Sequence, residues 1–384
     1  MGRRVKVGMV SPGTFPIGGR RSSSIEMLMV KLAELFQAEA DVTMFGKLFS
    51  NQPVFEERGS ITFYRYLSSK SNPYINQTIE RLQELKPDII HIENRPRFAR
   101  AVRLAMPKTK IVLVLQSTLF MSRPHIGKEE LMLCLEVADA IIVNSHFLKN
   151  HMVKETLCSS SKITVNHLGV DVDQFQPKWH QESKVNVARL KKEWGVTDRK
   201  VLLFVGRLIE KKGVHHILKA MPALIKVDPS IMFFIAGSSL APTSETRAYE
   251  AQLQELAEKV KGHVIFNPFI THDEIHTWFQ MADLLLVPSV AEPFGLVNVE
   301  AMAVGTPVIA TNSGGIPEII EHGKTGILIH PERVVDELTW QIVKLLSNPG
   351  QIINMGLDSA LHVRANFTWE VTAQRQLALY RRLL

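Results

Sequence analysis

Short apolar segments that read as buried β-strands alternate with amphipathic helical segments along this chain, and this alternation most restricts its fold. In the segment "SSSIEMLMVKLAELFQ", Ile25, Leu28, Met29, Leu32 and Leu35 fall on one helical face, and the serines before them can cap the helix. Apolar strands separated by such helices predict a parallel sheet covered on both faces. The strand candidates of the first half are "VKVGMV", "DVTMF", "ITFYRY", "DIIHIE", "KIVLVL", "AIIVNS" and "ITVNHL".

The alternation pauses at residues 174–198, a polar stretch that we interpret as an interdomain connection. It resumes with "KVLLFVG", "IMFFIAG", "HVIFNPF", "DLLLVPS", "TPVIAT" and "TGILIH". We therefore predict an α/β protein with two Rossmann-like, doubly wound parallel-sheet domains, residues 1–173 and residues 174–368, followed by a helix at 369–384. Ligands bind beyond the carboxyl ends of such strands, so two facing domains predict a site in a central cleft.

The composition agrees with a globular protein in the cytoplasm. Hydrophobic residues make up 45% of the 384 residues, and no apolar run approaches the roughly 18 residues of a membrane span. The first residues, "MGRRVKVGMVSP", read as a strand and not as a secretory signal. Cys134 and Cys158 fit no metal-binding spacing, which favours reduced thiols in a cytosolic protein.

The positive charge is concentrated in the first half of the chain. Residues 1–185 contain 25 Lys and Arg against 18 Asp and Glu, whereas residues 186–384 contain 20 of each. A basic half indicates an anionic partner, such as a membrane surface, an acidic polymer or a nucleotide phosphate. Ordinary solvated surface charge explains the asymmetry equally well.

The segment "PSVAEPFGLVNVEAMAVGTPVIATNSGG" contains only two charged residues, Glu292 and Glu300. It reads as a strand end, a turn with Pro and Gly, and a short helix that begins with Leu296 and Val297. The free amides at such a helix N-terminus bind anions, and phosphate is the obvious candidate. Two carboxylates beside a phosphate site would not bind the phosphate itself. They would accept hydrogen bonds from hydroxyl groups, which the two sugars on either side of a nucleotide diphosphate supply.

Cations for such a phosphate occur upstream, in "FVGRLIEKKGVHHILKAM". Arg207 lies at a strand end, and Lys211 and Lys212 follow in the loop before a helix. A solvated basic loop is the alternative for this segment taken alone. At the N-terminus, Gly18 and Gly19 in "SPGTFPIGGRRSSS" would allow the backbone to approach a ligand closely, although the pattern is not the G-x-G-x-x-G fingerprint.

Together these segments resemble family 4 of the glycosyltransferases, which are retaining enzymes with the two-domain GT-B fold. The resemblance covers essentially the whole chain and is strongest from Leu202 to Ile329. Its most specific part is the E-x7-E pattern, here Glu292 to Glu300. The segments "VGRLIEKKG", "PIGGR", "VNHLGVDVDQF" and "SHFLKNHM" are similar to further stretches of the family, and "ENRP" resembles its spore-coat-associated branch.

The resemblance implies roles for the matching residues. Arg207 and Lys212 would bind the diphosphate, the amides after Gly295 the distal phosphate, Glu300 the nucleotide ribose, and Glu292 the donor sugar near the reacting centre. The family's terminal helix crosses back onto the first domain, as residues 369–384 would allow. The remaining donor-binding candidates are Gly18 and Gly19, the backbone of Phe269 and Ile270 near the base, and Phe294, Leu296 and Val297 in the turn.

The sequence departs from the family at one catalytic position. Many members have a His after the strand equivalent to "KIVLVLQST", where this chain has Gln116, which can donate a hydrogen bond but cannot act as a general acid. His91, on the preceding strand, is the alternative catalytic candidate. Asp171 and Asp173 form a D-x-D pattern, but the family fold generally needs no metal, and the His215–His216 pair lacks further ligands at zinc spacing. No metal or cofactor is expected beyond the nucleotide sugar.

The sequence therefore predicts a metal-independent retaining glycosyltransferase that uses a nucleotide-diphosphate sugar, UDP-linked, and forms an α-glycosidic bond. The acceptor is unidentified: a glycan, a lipid-linked molecule or a small molecule, with no nucleic acid involved. Arg97, Arg100 and Arg103 in the basic first domain are expected to face an acceptor, a membrane or an anionic polymer, so the protein could lie at a membrane or spore surface. The alternatives are a GT-B structural or assembly protein with little or no activity, which the missing His favours, and a nucleotide-sugar epimerase.

Overall fold

A computed structural model describes residues 3–19, 22–69, 73–238, 243–267, 270–271 and 273–384. The chain divides into two compact units. The first unit is Met1–Leu168 together with Trp369–Leu384, and the second unit is Gly169–Thr368. The boundary expected after residue 173 therefore falls inside the second unit, where Val170 forms a β-bridge with Thr368.

The first unit contains a mostly parallel sheet. Within its described residues, the strand order is β3-β4-β2-β1-β5-β6-β7-β8, and each pairing is parallel except that of β3 with β4. All seven apolar segments expected to be strands contain one. The sequence pattern missed β3, because this edge strand is mostly exposed. In chain order the elements are β1 (Val5–Val10), α1 (Ser24–Phe36), β2 (Ala40–Lys47), β3 (Phe55–Arg58), β4 (Ile61–Tyr66), α2 (Tyr74–Leu85), β5 (Ile89–Glu93), α3 (Pro96–Ala105), β6 (Lys110–Leu115), α4 (Lys128–Glu136), β7 (Ala140–Val143), α5 (His146–Thr156) and β8 (Ile163–Val165).

The second unit contains a fully parallel sheet with the order β11-β10-β9-β12-β13-β14 among the residues described. Its elements, followed by the final helix α13 of the first unit, are α6 (Gln181–Glu193), β9 (Lys200–Val205), α7 (Val214–Val227), β10 (Ile231–Ala236), α8 (Ser244–Glu258), β11 (Val264–Asn267), α9 (Ile275–Met281), β12 (Leu284–Val287), α10 (Leu296–Ala303), β13 (Val308–Thr311), β14 (Ile327–Ile329), α11 (Val334–Leu346), α12 (Pro349–Asn366) and α13 (Trp369–Leu383).

The interpretation of residues 174–198 as an interdomain connection was wrong. Most of this stretch is helix α6, which packs on α9 inside the second unit. Its sequence resembled a linker because the helix is largely exposed, with Ser183 as its one buried residue. The helix lies on the outside of the unit and contributes little to the apolar core.

Helices cover both faces of each sheet. In the first unit, α2, α3, α4 and α5 contribute to the apolar core on one face, while α1 and α13 contribute to that on the other. Tyr380 of α13 is fully buried, and its ring meets that of Phe36 edge-on at 5.9 Å. Because the strands are parallel, their carboxyl ends lie at one edge of each sheet. The loops after β1, β5, β6 and β7, and those after β9, β12 and β13, are therefore grouped at these edges.

Candidate functional site

The turn between β12 and α10 has the conformation that its sequence predicted. Gly295 lies before the helix with a φ of 96°, in the left-handed region where glycine is favoured. Helix α10 begins at Leu296. Within the described chain, the amides of Leu296 and Val297 have no hydrogen-bond acceptor, as expected for the first residues of a helix. These two donors and the positive end of the helix dipole form an anion site beyond a strand end.

Backbone contacts hold three loops together around this turn. A Cβ on Gly213 would lie 2.1 Å from the carbonyl oxygen of Pro288, and one on Gly314 would lie 2.1 Å from that of Glu292. The Gly315 amide donates to the same Glu292 oxygen at 2.8 Å. The loops after β9, β12 and β13 can therefore approach so closely only because glycine occupies these positions. The sequence interpretation assigned no role to Gly314, although "NSGG" directly follows an apolar strand.

Lys212 and Glu292 form an ion pair, which the sequence did not predict. The Lys212 Nζ contacts Glu292 Oε2, and only 21% and 13% of the two side-chain surfaces are exposed. The family resemblance implies that Lys212 binds the diphosphate and that Glu292 binds the donor sugar. Here the two groups neutralise each other beside the α10 N-terminus. Arg207 is exposed and, among the described residues, has no ion pair.

Glu300 lies on α10 and is half-buried. Its carboxyl group has no hydrogen bond or ion pair within the described part of the chain. Burial raises the pKa of this carboxyl to about 8, because removal from water penalises the charged form. At neutral pH the group is therefore mostly protonated, so it can donate as well as accept a hydrogen bond.

The structure places two of the three other donor-binding candidates in different surroundings. The Phe294 side chain is buried, with its ring 6.1 Å from that of Phe367, so it belongs to the core. Ile270 is half-buried and lies outside helices and strands. Phe269 lies outside the residues that the structure describes.

The glycine-rich turn of the first unit is held by an arginine beneath it. Gly18 has a φ of 72°, and a Cβ there would lie 3.3 Å from Nη2 of Arg65. The fully buried Arg65 donates to the Ile17 carbonyl at 3.2 Å and pairs with Glu56 at 2.7 Å. The Gly19 amide donates to Ser22 Oγ at 3.2 Å. Gly18 is therefore required by the packing of its own loop.

His91 does not have the exposure that a catalytic residue requires. It is fully buried, with Nδ1 2.6 Å from Tyr380 Oη and 3.0 Å from Gln376 Nε2, and Nε2 3.2 Å from Glu93 Oε1. Both ring nitrogens are thus engaged inside the first unit, and two of the partners belong to helix α13. The candidate role of His91 in catalysis is replaced by a structural one: it joins β5 to the terminal helix.

Gln116 belongs to a row of polar residues at the carboxyl edge of the first sheet. The Gln116 backbone N–H donates to Asn94 Oδ1 at 2.9 Å, and Asn144 Nδ2 donates to the Gln116 backbone carbonyl at 3.0 Å. Sequence interpretation missed the rest of this row, although each member follows an apolar strand or begins the first helix. The buried polar atoms here that have no partner in the described chain include Ser11 Oγ, Glu26 Oε1, Glu93 Oε2, Asn94 Nδ2, Gln116 Oε1 and Asn144 Oδ1.

Two protein-family models match this chain. Residues 25–174 match the family described as Glycosyltransferase Family 4, and residues 186–358 match that described as glycosyl transferases group 1. The two matches together span most of both units. The chain is therefore a glycosyltransferase that contains a domain of each of these two families.

This glycosyltransferase is also similar to individual proteins over most of its length. Spore coat protein SA of Bacillus subtilis is 27% identical over 377 residues, which cover 98% of this chain and 99% of the relative. The D-inositol 3-phosphate glycosyltransferase of Mycobacterium tuberculosis is 32% identical over 256 residues, which cover 65% of this chain and 50% of that protein.

Solved structures with the same fold include sucrose-phosphate synthase from Thermosynechococcus elongatus, with a TM-score of 0.80, 23% identity and 99% of both chains covered. HepE of Anabaena, in complex with UDP, has a TM-score of 0.78 at 19% identity, covering 99% of this chain and 100% of HepE. The predicted α/β fold with two Rossmann-like domains is confirmed.

The arginines expected to form an acceptor face of this glycosyltransferase are largely used inside the first unit. Arg97 pairs with Glu130 through Nε at 2.7 Å and Nη2 at 2.6 Å. Arg103 donates to Asp139 at 2.5 Å and to the carbonyls of Pro107, Thr109 and Val137. Arg97 and Arg103 are thus paired within the first unit, whereas Arg100 is exposed, and the expected acceptor or membrane face stays a prediction.

We expect Arg103→Ala to destabilise the first unit by about 2 kcal/mol, because several carbonyls and a carboxylate lose their donor. The matched control is Arg100→Ala, since Arg100 is exposed on the same helix; its effect should stay within about 0.5 kcal/mol. Urea unfolding of the two variants measures the difference. Equal destabilisation by the two substitutions would contradict the structural role given to Arg103.

The two sequence patterns that were considered as metal sites, Asp171–Asp173 and His215–His216, form hydrogen bonds within the chain. Asp171 Oδ1 accepts from the amides of Asp173 at 3.1 Å and Gln174 at 3.3 Å, which closes a turn. His215 Nδ1 lies 2.9 Å from Tyr249 Oη, and burial lowers the pKa of His215 to about 4.

Considering only the described residues, the glycosyltransferase has no helix with the length and apolar character to span a bilayer.

Proposed function

We propose that this glycosyltransferase transfers a sugar from a UDP-linked donor to a hydroxyl acceptor with retention of configuration, giving an α-glycosidic bond. The observation that carries the proposal is the α10 N-terminus, where free amides lie beside an ion pair and a protonatable carboxyl group. Family membership makes a sugar the transferred group. The structurally similar HepE, solved in complex with UDP and with UDP-glucose, supports the choice of donor.

The diphosphate would bind where positive charge and free donors meet. The amides of Leu296 and Val297 would donate to the distal phosphate, and Arg207 would add a planar fork that suits phosphate oxygens. Lys212 would exchange its partner Glu292 for the phosphate. Because the pair is largely buried, the exchange requires that the phosphate replace Glu292 as the partner of Lys212 and that donor hydroxyls satisfy Glu292. These cationic groups are the basis for proposing a reaction without a bound metal.

The two glutamates would bind hydroxyl groups of different sugars. Once Lys212 moves to the phosphate, Glu292 would accept hydrogen bonds from the donor sugar, next to the departing phosphate. Glu300, one turn into the helix, would bind the ribose of the nucleotide. Its raised pKa suits this role, because a protonated carboxyl exchanges hydrogen bonds with a diol in both directions.

The reaction breaks the bond between the sugar C1 and the distal phosphate oxygen and forms a C1–O bond to the acceptor on the same face. The acceptor proton passes to the departing phosphate oxygen, so no protein base is needed. Arg207, Lys212 and the helix amides would stabilise the negative charge that develops on the nucleotide diphosphate. This route is compatible with Gln116 at the position where relatives have a His.

The acceptor would bind at the carboxyl edge of the first sheet. Unpaired polar atoms of Asn94, Gln116 and Asn144 favour a ligand rich in hydroxyl groups. A glycan, a lipid-linked sugar and a small polyol all have this chemistry. The excess of Lys and Arg in residues 1–185 is the reason to propose peripheral contact with a membrane or an anionic polymer, at a cytoplasmic or spore surface.

A thermal-shift panel of UDP, GDP, ADP and their glucose conjugates tests the donor site. A ligand at about 100 times its dissociation constant should add about 2.7 kcal/mol of stability, which raises the melting temperature. We expect UDP and UDP-glucose to give the largest shifts, and Arg207→Gln to reduce them. A panel without any shift would refute the proposal.

A structural or assembly protein is the second candidate. The missing His at Gln116 and the similarity to a protein named Spore coat protein SA favour it. Donor turnover separates the two: release of UDP from UDP-sugars, faster with an added acceptor, supports the transferase. Tight UDP binding without any release supports the structural protein, and conversion of the donor into another UDP-sugar would indicate an epimerase.

A further inference from the structure

A pocket lined by several lysines lies in the second unit, apart from the loops of the proposed donor site. It has a volume of about 400 Å³ and is formed by α6 and the segment that leads into β12. No residue of the loops after β9, β12 or β13 lines it. The lining residues that matter for its chemistry are Lys178, Lys184, Lys191, Gln280, Ala282 and Asp283.

The lining carries more positive than negative charge. Three lysines face one carboxylate, that of Asp283, whose Oδ2 already accepts the Val201 amide at 2.7 Å. Lys184 and Lys191 are two helical turns apart on one face of α6. In the described residues, none of the three ammonium groups has an ion pair. The lining therefore has an excess of positive charge.

Two lining side chains have unused hydrogen-bonding capacity. Lys178 donates to the Ala282 carbonyl at 2.8 Å, its one side-chain hydrogen bond in the described chain, which leaves two N–H groups. Burial lowers the pKa of Lys178 to about 8, so most of it is still charged at neutral pH. Gln280 donates through Nε2 to Gln176 and Ser183, but its buried Oε1 has no partner there. A partly buried ammonium and a buried, unpaired amide oxygen are both costly unless a ligand compensates them.

We propose that this pocket binds a phosphorylated sugar or a similar small phosphate monoester. The phosphate would lie among Lys178, Lys184 and Lys191. The Gln280 side-chain oxygen and the Ala282 carbonyl would accept hydrogen bonds from the hydroxyl groups of the sugar. The volume is that of a site for a small molecule. This inference does not depend on the proposed donor chemistry, since the two sites share no residue.

Isothermal titration with glucose 6-phosphate and with inorganic phosphate tests the pocket in the full-length protein. The informative variant is Lys184→Gln/Lys191→Gln, because both side chains are on an outer helix and their loss should not prevent folding. The matched control is Lys192→Gln, an exposed lysine on the same helix that does not line the pocket. We expect the double variant to bind glucose 6-phosphate at least about tenfold more weakly, and the control to bind it like the unchanged protein.

Three results would overturn the proposal: no measurable binding of either ligand, equal affinity of the double variant and the unchanged protein, or loss of binding in Arg207→Gln only. The last result would assign the phosphate to the donor site instead. Tighter binding of glucose 6-phosphate than of inorganic phosphate supports recognition of the sugar hydroxyls, and equal affinities would overturn that part. A normal UDP shift in the double variant keeps this test separate from that of the donor site.

Discussion

Replacement of Gly314 by alanine is expected to lower donor turnover by about 100-fold while both units remain folded. The new Cβ would lie 2.1 Å from the carbonyl oxygen of Glu292 and 2.8 Å from its nitrogen. Both are backbone atoms that cannot rotate away, so the loop that carries Glu292 must shift, and its pairing with Lys212 shifts with it. Steady-state release of UDP from a UDP-sugar measures the loss, and a melting curve confirms folding.

Gly323→Ala is the matched control for this prediction. Gly323 also has a positive φ, of 81°, but a Cβ there would have no neighbour within 4 Å. It therefore introduces the backbone strain alone, which costs about 1–2 kcal/mol. Turnover close to that of the unchanged protein is expected. If both alanine variants lose activity equally, strain and not the contact with Glu292 is responsible; if Gly314→Ala is fully active, the loop position does not control turnover.

Glu300→Ala is expected to weaken UDP binding by about 10–100-fold, whereas Glu292→Ala should leave UDP affinity nearly unchanged and mainly reduce transfer. The reason is the proposed division of labour, in which Glu300 binds ribose and Glu292 binds the donor sugar. Glu300→Gln should lose less affinity than Glu300→Ala, because a mostly protonated carboxyl and an amide have similar hydrogen-bonding capacity. Titration calorimetry with UDP at neutral pH ranks the three variants. Equal UDP affinity of the two alanine variants would contradict the division.

Glu300 should also make stability depend on pH. Its pKa is about 8 in the folded chain, against 4.5 for a glutamate in water, so between these values only the folded protein keeps the proton. Stability contributed by this group is therefore complete below about 4.5 and is lost as pH rises through about 8. Because the residue is half-exposed, we expect the unchanged protein to lose only about 1–2 kcal/mol more than Glu300→Gln between about pH 6 and pH 9. Identical pH profiles in urea unfolding would show that Glu300 does not titrate in this way.

Local sequence patterns predicted the regular elements well. Val5–Val10 and Leu284–Val287 are strands because continuous apolar runs must be buried on both faces of a parallel sheet. Two segments were misjudged, Phe55–Arg58 and Gln181–Glu193, and both are largely exposed. Their side chains face water on most sides, so neither shows the apolar periodicity by which a strand or helix is recognised.

The candidate site likewise has features that the local sequence predicts and contacts that it does not. The turn at Gly295 and the start of α10 follow from nearest-neighbour chemistry, since glycine permits a positive φ and the first helical amides lack internal partners. The burial of His91 against Tyr380, residues far apart in the chain, could not be predicted, because no pattern around either residue specifies the other. The same holds for Lys212 with Glu292 and for Arg103 with Asp139.

The sequence by itself determined the alternation of strands and helices and the turn at Gly295 of this glycosyltransferase, because both depend on residues close together in the chain. Only the tertiary structure decided which polar side chains are available to a ligand. His91, Arg97 and Arg103 are used inside the first unit, while Arg207 and the amides of Leu296 and Val297 remain open. The reason is physical: a polar group is available only if no distant segment satisfies its hydrogen bonds, and that depends on the packing of the folded chain.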